Sequence, residues 1–209
     1  MSRLATSFVL GYHGCDQDIA RKAISGDFKL VESDRDYDWL GPGAYFWEGD
    51  PTRAMEWARW KTEIGHYKNP AVVGAVIDLR NCLDLLVRDE IELLATAYRS
   101  FVALRAKADM PMPENRSVKG QPNQDRVLRY LDCAVFRHLH EMIDAQASED
   151  RSIEPYDTVR GMFTEGGPLY PGCGFEKRSH VQIAVRNDAC IKGFFLPRYI
   201  TASTHHAAG

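Results

Sequence analysis

Apolar and polar positions follow two different periods along this chain of 209 residues, and the points where the period switches divide it into elements. The run from 7 to 12, with Phe8, Val9, Leu10 and Tyr12, suits a buried strand ending at His13-Gly14. Asp16 stands where a helix N-cap would, Ile19, Ala20, Ala23 and Ile24 follow at helical spacing, and Gly26 supplies the stop. Phe28 to Val31 read as a second strand, and the polar, Gly/Pro-rich stretch 34–43 reads as a loop. Ala44 to Trp47 suit a short strand. Asp50-Pro51 then starts a helix, with an acceptor at the N-cap and proline at the first helical position, running through Trp57 and Trp60 towards Gly65. Residues 71–79 form the clearest buried strand of the chain.

From 83 to 107 the period is helical, with Leu86, Ile91, Leu94, Tyr98, Phe101 and Leu104 as the expected core stripe. A polar stretch with three prolines, 108–124, predicts a long loop. A second helix follows, carrying Val127, Leu128, Leu131, Ala134, Val135, Leu139 and Met142 and ended by the charges around 149–151. Strands resume at Thr158 to Phe163, Val181 to Val185 and Ile191 to Leu196. Strands, a helical middle and further strands predict one α+β domain over 1–209, with a helical insert at 83–147.

Composition narrows the classes of function. The 44% hydrophobic and 26% charged content is ordinary for a soluble globular protein. No run reaches the roughly 18 apolar residues of a membrane span, so no membrane partner is expected. The first residues show no basic-then-apolar leader pattern, which makes the cytoplasm the expected compartment. A net charge of −3 gives no global field for nucleic acid, although Arg99, Arg105, Lys107, Arg116 and Lys119 make a locally basic stretch. The five cysteines are scattered without a C-x-x-C pair, which predicts free thiols and neither a disulfide framework nor a zinc knuckle. His138 and His140 with Glu141 are not expected to bind metal, since positions two apart face different sides of a helix. His205-His206 falls in a small-residue tail. No phosphate-binding Walker loop, H-E-x-x-H or G-x-S-x-G is present.

Three pieces, in order, carry candidate chemistry. They are Tyr12-His13-Gly14, then Gly41-Pro42-Gly43-Ala44-Tyr45-Phe46 followed by the Asp50-to-Ala58 helix start, and Ser179-His180-Val181-Gln182-Ile183. Taken singly, each has a structural explanation: a satisfied histidine, a strand aromatic, helix packing for Trp57 and Trp60, a polar edge for Gln182. Their joint occurrence in this order favours a site.

The set resembles the NAD-dependent ADP-ribosyltransferases, on the diphtheria-toxin and poly(ADP-ribose) polymerase side of that superfamily, whose signature is His, Tyr and Glu on three separated strands. The match covers most of the chain in order and spacing, with few identical residues. The resemblance implies an ADP-ribosyltransferase-like fold: two facing, mainly antiparallel sheets gripping NAD as co-substrate. His13 would meet the adenosine ribose, and Gly14 would offer its backbone N–H and C=O to the nicotinamide carboxamide. Tyr45 would stack on the nicotinamide ring, with Trp57 near the opposite face. Ala54 stands closest to the family's carboxamide-binding serine and lacks its hydroxyl.

Gln182 stands where the family carries Glu. It is neutral, so it can accept a hydrogen bond from a ribose hydroxyl but supplies neither full charge nor base. Glu165 or Glu176 could provide a carboxylate from the preceding loop. The implied activity is mono-ADP-ribosyl transfer to a macromolecular acceptor, protein or nucleic acid. The alternatives are an NAD glycohydrolase and a non-catalytic NAD or ADP-ribose binding module. A cytoplasmic enzyme of this kind suits a toxin of a toxin–antitoxin or anti-phage system, with an antitoxin protein as partner, a context that comes from the resemblance alone.

Overall fold

The computed structural model describes residues 8–26, 32–118 and 125–198. Its strands are β1 (Phe8–Asp16), β2 (Ala44–Glu48), β3 (Pro70–Asp78), β4 (Cys82–Asp84), β5 (Thr158–Phe163), β6 (His180–Val185) and β7 (Ile191–Phe195). Its helices are α1 (Gln17–Ser25), α2 (Pro51–Glu63), α3 (Arg88–Lys107) and α4 (Tyr130–Glu149). The expected strand at Phe28 to Val31 lies outside the described residues.

Local signals set the helix ends. Asp16 caps α1 by accepting from the Asp18 N–H at 3.1 Å, and Gly26 ends it at φ 79°, a conformation that glycine adopts without steric cost. Asp50 caps α2 through the Arg53 N–H at 2.9 Å, with Pro51 in the first turn. β1 does not stop at His13-Gly14, as the polarity suggested. It continues to Asp16 because nine residue pairs bind it to β3, from Phe8↔Asp78 to Asp16↔Pro70.

The fold is mixed α+β, but the strands make one sheet where two facing sheets were expected. Among the described residues its order is β4-β5-β6-β2-β1-β3-β7, antiparallel throughout except for the parallel β4·β5 pair. Continuity at the centre depends on two residue pairs only, Gly11↔Glu48 and Tyr12↔Trp47. Around this narrow join the sheet curves so that its halves share a core. Val9, Ile77, Leu79, Ile191 and Phe194 from one half pack with Ala44, Phe46, Ile183 and Val185 from the other. Gly11 permits the bend, since a Cβ there would stand 2.6 Å from Ile77 Cδ1 and 2.9 Å from Phe46 Cβ.

The other side of the sheet carries two separate helical packs. α2 lies on Trp47 and Val72 through Ala54, while α3 and α4 cover Leu83, Val159 and Ala184. The helical middle therefore begins after β4 and shares the main core. In α3 the buried line is Ala97 and Phe101, flanked by Leu93 and Leu94. Of the expected stripe, Leu94 and Phe101 do pack on the core, whereas Leu86, Ile91, Tyr98 and Leu104 are exposed. Val127 and Leu128 precede α4, whose buried residues are Cys133, Val135, Phe136, Leu139 and His140. No helix among the described residues is long and apolar enough to cross a membrane.

Candidate functional site at the strand split

Backbone alternation decides what faces the opening between β1 and β2. The Gln17 N–H donates to Asn69 O at 2.9 Å, in register with β3, and the Gly49 N–H donates to Leu10 O at 2.9 Å on the β2 side. Odd residues of β1 therefore direct their N–H and C=O to β3, and even residues direct theirs to β2. Tyr12 is the last even residue to find a strand partner. The next is Gly14, which would face Tyr45, but the ladder has ended. The Gly14 N–H and C=O consequently point to the β2 side without a ladder partner, in a residue that is itself buried. Gly14 is glycine for a packing reason too: a Cβ would stand 2.1 Å from the Ala54 carbonyl oxygen, so α2 sits directly on it.

The His13 ring takes the place of the missing rung. Its Nδ1 lies 2.8 Å from the Tyr45 carbonyl oxygen, and a carbonyl only accepts, so Nδ1 carries the proton. Burial lowers the pKa of His13, more than the bond to Tyr45 raises it, which keeps the ring neutral with a lone pair on Nε2. The His13 ring thus meets the Tyr45 backbone at the end of the ladder, on the sheet face of Phe46, while the Tyr45 ring and Ala54 lie on the opposite face with Gly14 between.

Tyr45 contributes its ring alone. Its hydroxyl accepts from the Leu40 N–H at 3.0 Å and donates to Gly41 O at 2.8 Å, which ties down the 34–43 loop. Burial, then the charge of Asp38, raises its pKa well above the ordinary value, so it stays un-ionised. Trp57 does not pack with Tyr45. It lies 6.0 Å from the Trp47 ring and 5.0 Å from Trp60, with the Lys61 ammonium 5.0 Å from its centroid.

Gln182 pairs with Trp47 across β2 and with Gly161 across β5, on the same sheet face as Tyr45. It is buried, and its Oε1 accepts from the Trp39 Nε1–H at 2.6 Å. The Trp39 indole covers Gly161, where a Cβ would stand 2.9 Å from its ring, and meets Phe163 edge-on at 5.1 Å. Sequence reasoning missed Trp39. The signal was a tryptophan inside an otherwise polar Gly/Pro loop.

The candidate carboxylates stand apart from a free catalytic acid. Glu165 is buried and ion-paired with Arg53, and its Oε1 is 4.0 Å from His180 Nδ1. The backbone of Glu176 bridges Pro168. His180, two residues before Gln182 on the same face, donates from Nδ1 to Arg178 O at 2.7 Å and stacks on Phe163 at 5.6 Å. Burial is the main cause of its lowered pKa, so it too is neutral. Among the described residues, no group of three or more His, Cys, Asp or Glu gathers as a metal site would require. The surface hollow formed by Pro113, Glu114, Asn115, Arg126 and Leu131 lies at the start of α4 and the segment before it, not at the split.

No protein-family model matches the chain, and neither a curated protein nor a solved structure matches it.

Proposed function

We propose that the chain is an NAD-dependent mono-ADP-ribosyltransferase of the His-Tyr-Gln pattern, with the β1–β2 split as its nicotinamide site. The observation that carries this reading is the free backbone edge of Gly14, facing Tyr45 beside the His13 ring. A carboxamide has one acceptor and two donor hydrogens, which an N–H and a C=O side by side complement. The Tyr45 ring supplies a flat wall. Ala54 adds no hydroxyl, so the backbone holds the carboxamide here.

In the reaction the bond from ribose C1 to the nicotinamide nitrogen breaks, and its electron pair leaves with the neutral ring. An acceptor nucleophile then bonds to C1 and releases its proton. Gln182 orients the ribose without adding negative charge, which favours single transfer at a modest rate. The ADP-ribosyltransferase-like form of the fold, a cytoplasmic toxin role, a protein or nucleic-acid acceptor and an antitoxin partner belong to this same proposal.

Two observations favour a second reading, a non-catalytic NAD or ADP-ribose binding module. Gln182 is engaged by Trp39, and Glu165 is neutralised by Arg53. Incubating the purified protein with labelled NAD and a cell lysate separates the readings. Label on protein, RNA or DNA supports transfer; free nicotinamide and ADP-ribose without macromolecular label indicate a glycohydrolase. Intact NAD with measurable binding leaves the module. Full labelling by both His13→Ala and Tyr45→Ala would remove the site assignment.

A further inference from the structure

The amide of Gln182 has two chemically different ends, and the structure fixes which one faces outward. An indole N–H can only donate, so the atom 2.6 Å from Trp39 Nε1 must be the amide oxygen. The Nε2 end is turned away from Trp39, and no described residue accepts from it. Trp39 itself is held firmly. Its six-membered ring fills the space left by the absent side chain of Gly161, and its edge meets Phe163. The neighbouring loop is tied down through the Tyr45 hydroxyl to Leu40 and Gly41, and through Arg137 to Asp34 at 2.5 Å.

We propose that Trp39 is a positioning residue that acts through Gln182: it holds the amide oxygen so that the site presents an N–H donor to a ribose oxygen of the bound nucleotide. This rests on the NAD reading and deepens it. A ribose hydroxyl meeting this donor accepts a hydrogen bond and keeps its own proton. Gln182 then acts as an oriented donor, a role that a glutamate in the same place could not fill.

Two experiments test this, one of them without ligand. In the free protein the Trp39 indole proton is expected to exchange slowly with solvent. That protection is lost in Gln182→Met and kept in Gln182→Glu, whose carboxylate still accepts. Protection surviving in Gln182→Met would overturn the amide orientation whatever the protein binds. In the second experiment, NAD affinity is measured by calorimetry. Trp39→Phe, which keeps a ring over Gly161, is expected to weaken binding about tenfold, as is Gln182→Met. The double variant is expected to bind no more weakly than Gln182→Met alone, because both changes remove the same contact. Additive losses, or an unchanged Trp39→Phe, would overturn the positioning role. An absence of NAD binding by the unaltered protein would overturn the nucleotide reading, while the exchange data would still decide the amide's orientation.

Discussion

His13 Nδ1 lies 2.8 Å from the carbonyl oxygen of Tyr45, one step beyond the last backbone pair that joins their strands. A side chain thereby replaces a rung of the ladder and leaves the next backbone groups, those of Gly14, unused. His13→Ala is expected to lose NAD-dependent labelling by at least about a hundredfold, because the opening is no longer held at a fixed width. His13→Asn, whose amide N–H can still reach the Tyr45 carbonyl, should recover thermal stability but only part of the labelling. The two variants can be compared by calorimetric unfolding and by transfer of label. Equal activity in His13→Ala would mean that the ring has no part in the site.

Gly14 is constrained from two sides, by α2 and by the opening. Gly14→Ala places a methyl 2.1 Å from the Ala54 carbonyl, where backbone has to move. A cost of roughly 2–3 kcal/mol in urea unfolding is expected, together with loss of NAD binding. Gly49→Ala is the control for inserting a methyl where nothing stands within 4 Å, although its φ of 66° adds local strain. A Gly14→Ala protein of normal stability would show that α2 is free to move off β1.

These contacts explain how far the sequence could be read. The Asp16 and Asp50-Pro51 helix starts and the strand at Thr158–Phe163 were legible because a cap or an alternation acts within a few residues. β4 was read as helix, since Cys82–Asp84 is extended only through its parallel pairing with Thr158, Val159 and Arg160. The α3 stripe was right at Leu94 and Phe101 but wrong at the rest, because apolar residues occur around much of that helix and only packing against α4 selects Ala97. The placement of His13, Tyr45 and Gln182 on three separate strands was readable from local alternation. Trp39 was not, because its partner Gln182 lies 143 residues further along the chain. Trp57 was expected near the nicotinamide ring but packs instead with Trp47 and Trp60, contacts that no local spacing signals.

Acid should destabilise the protein through its buried histidines. His140 is buried against Phe136 and Tyr156; burial, and secondarily the charge of Arg186, lowers its pKa from 6.5 to about 3. Between these values the unfolded chain holds a proton that the folded one refuses. Its contribution is therefore complete above pH 6.5 and is lost as the pH falls towards 3. About 2 kcal/mol of it should be gone by pH 5. His13 and His180 shift in the same direction. His140→Phe removes one of the three, so its urea midpoint should fall less between pH 7.5 and pH 5 than that of the unaltered protein. Parallel falls would show that His140 is already charged in the folded state.

Gln182→Glu tests the chemistry at its weakest point. Trp39 Nε1 already stands where it can donate to one carboxylate oxygen, so the substitution meets a partner that holds it. The second oxygen would then place negative charge beside the ribose as its bond to nicotinamide breaks. Charge aimed at a developing cation in a site sheltered from water lowers the barrier, and a gain of about tenfold or more in nicotinamide release is expected. Two effects oppose it. Gln182 is buried, which disfavours an ionised carboxylate and raises its pKa, and the donor that the amide gave to the ribose is lost. The gain should therefore grow with pH as the new carboxyl ionises, and be accompanied by weaker binding of NAD. Nicotinamide release followed by chromatography between pH 6 and pH 9 gives both quantities. A Gln182→Glu protein that binds NAD but releases nicotinamide no faster at any pH would place the ribose away from Gln182, and would leave the split as a binding site alone.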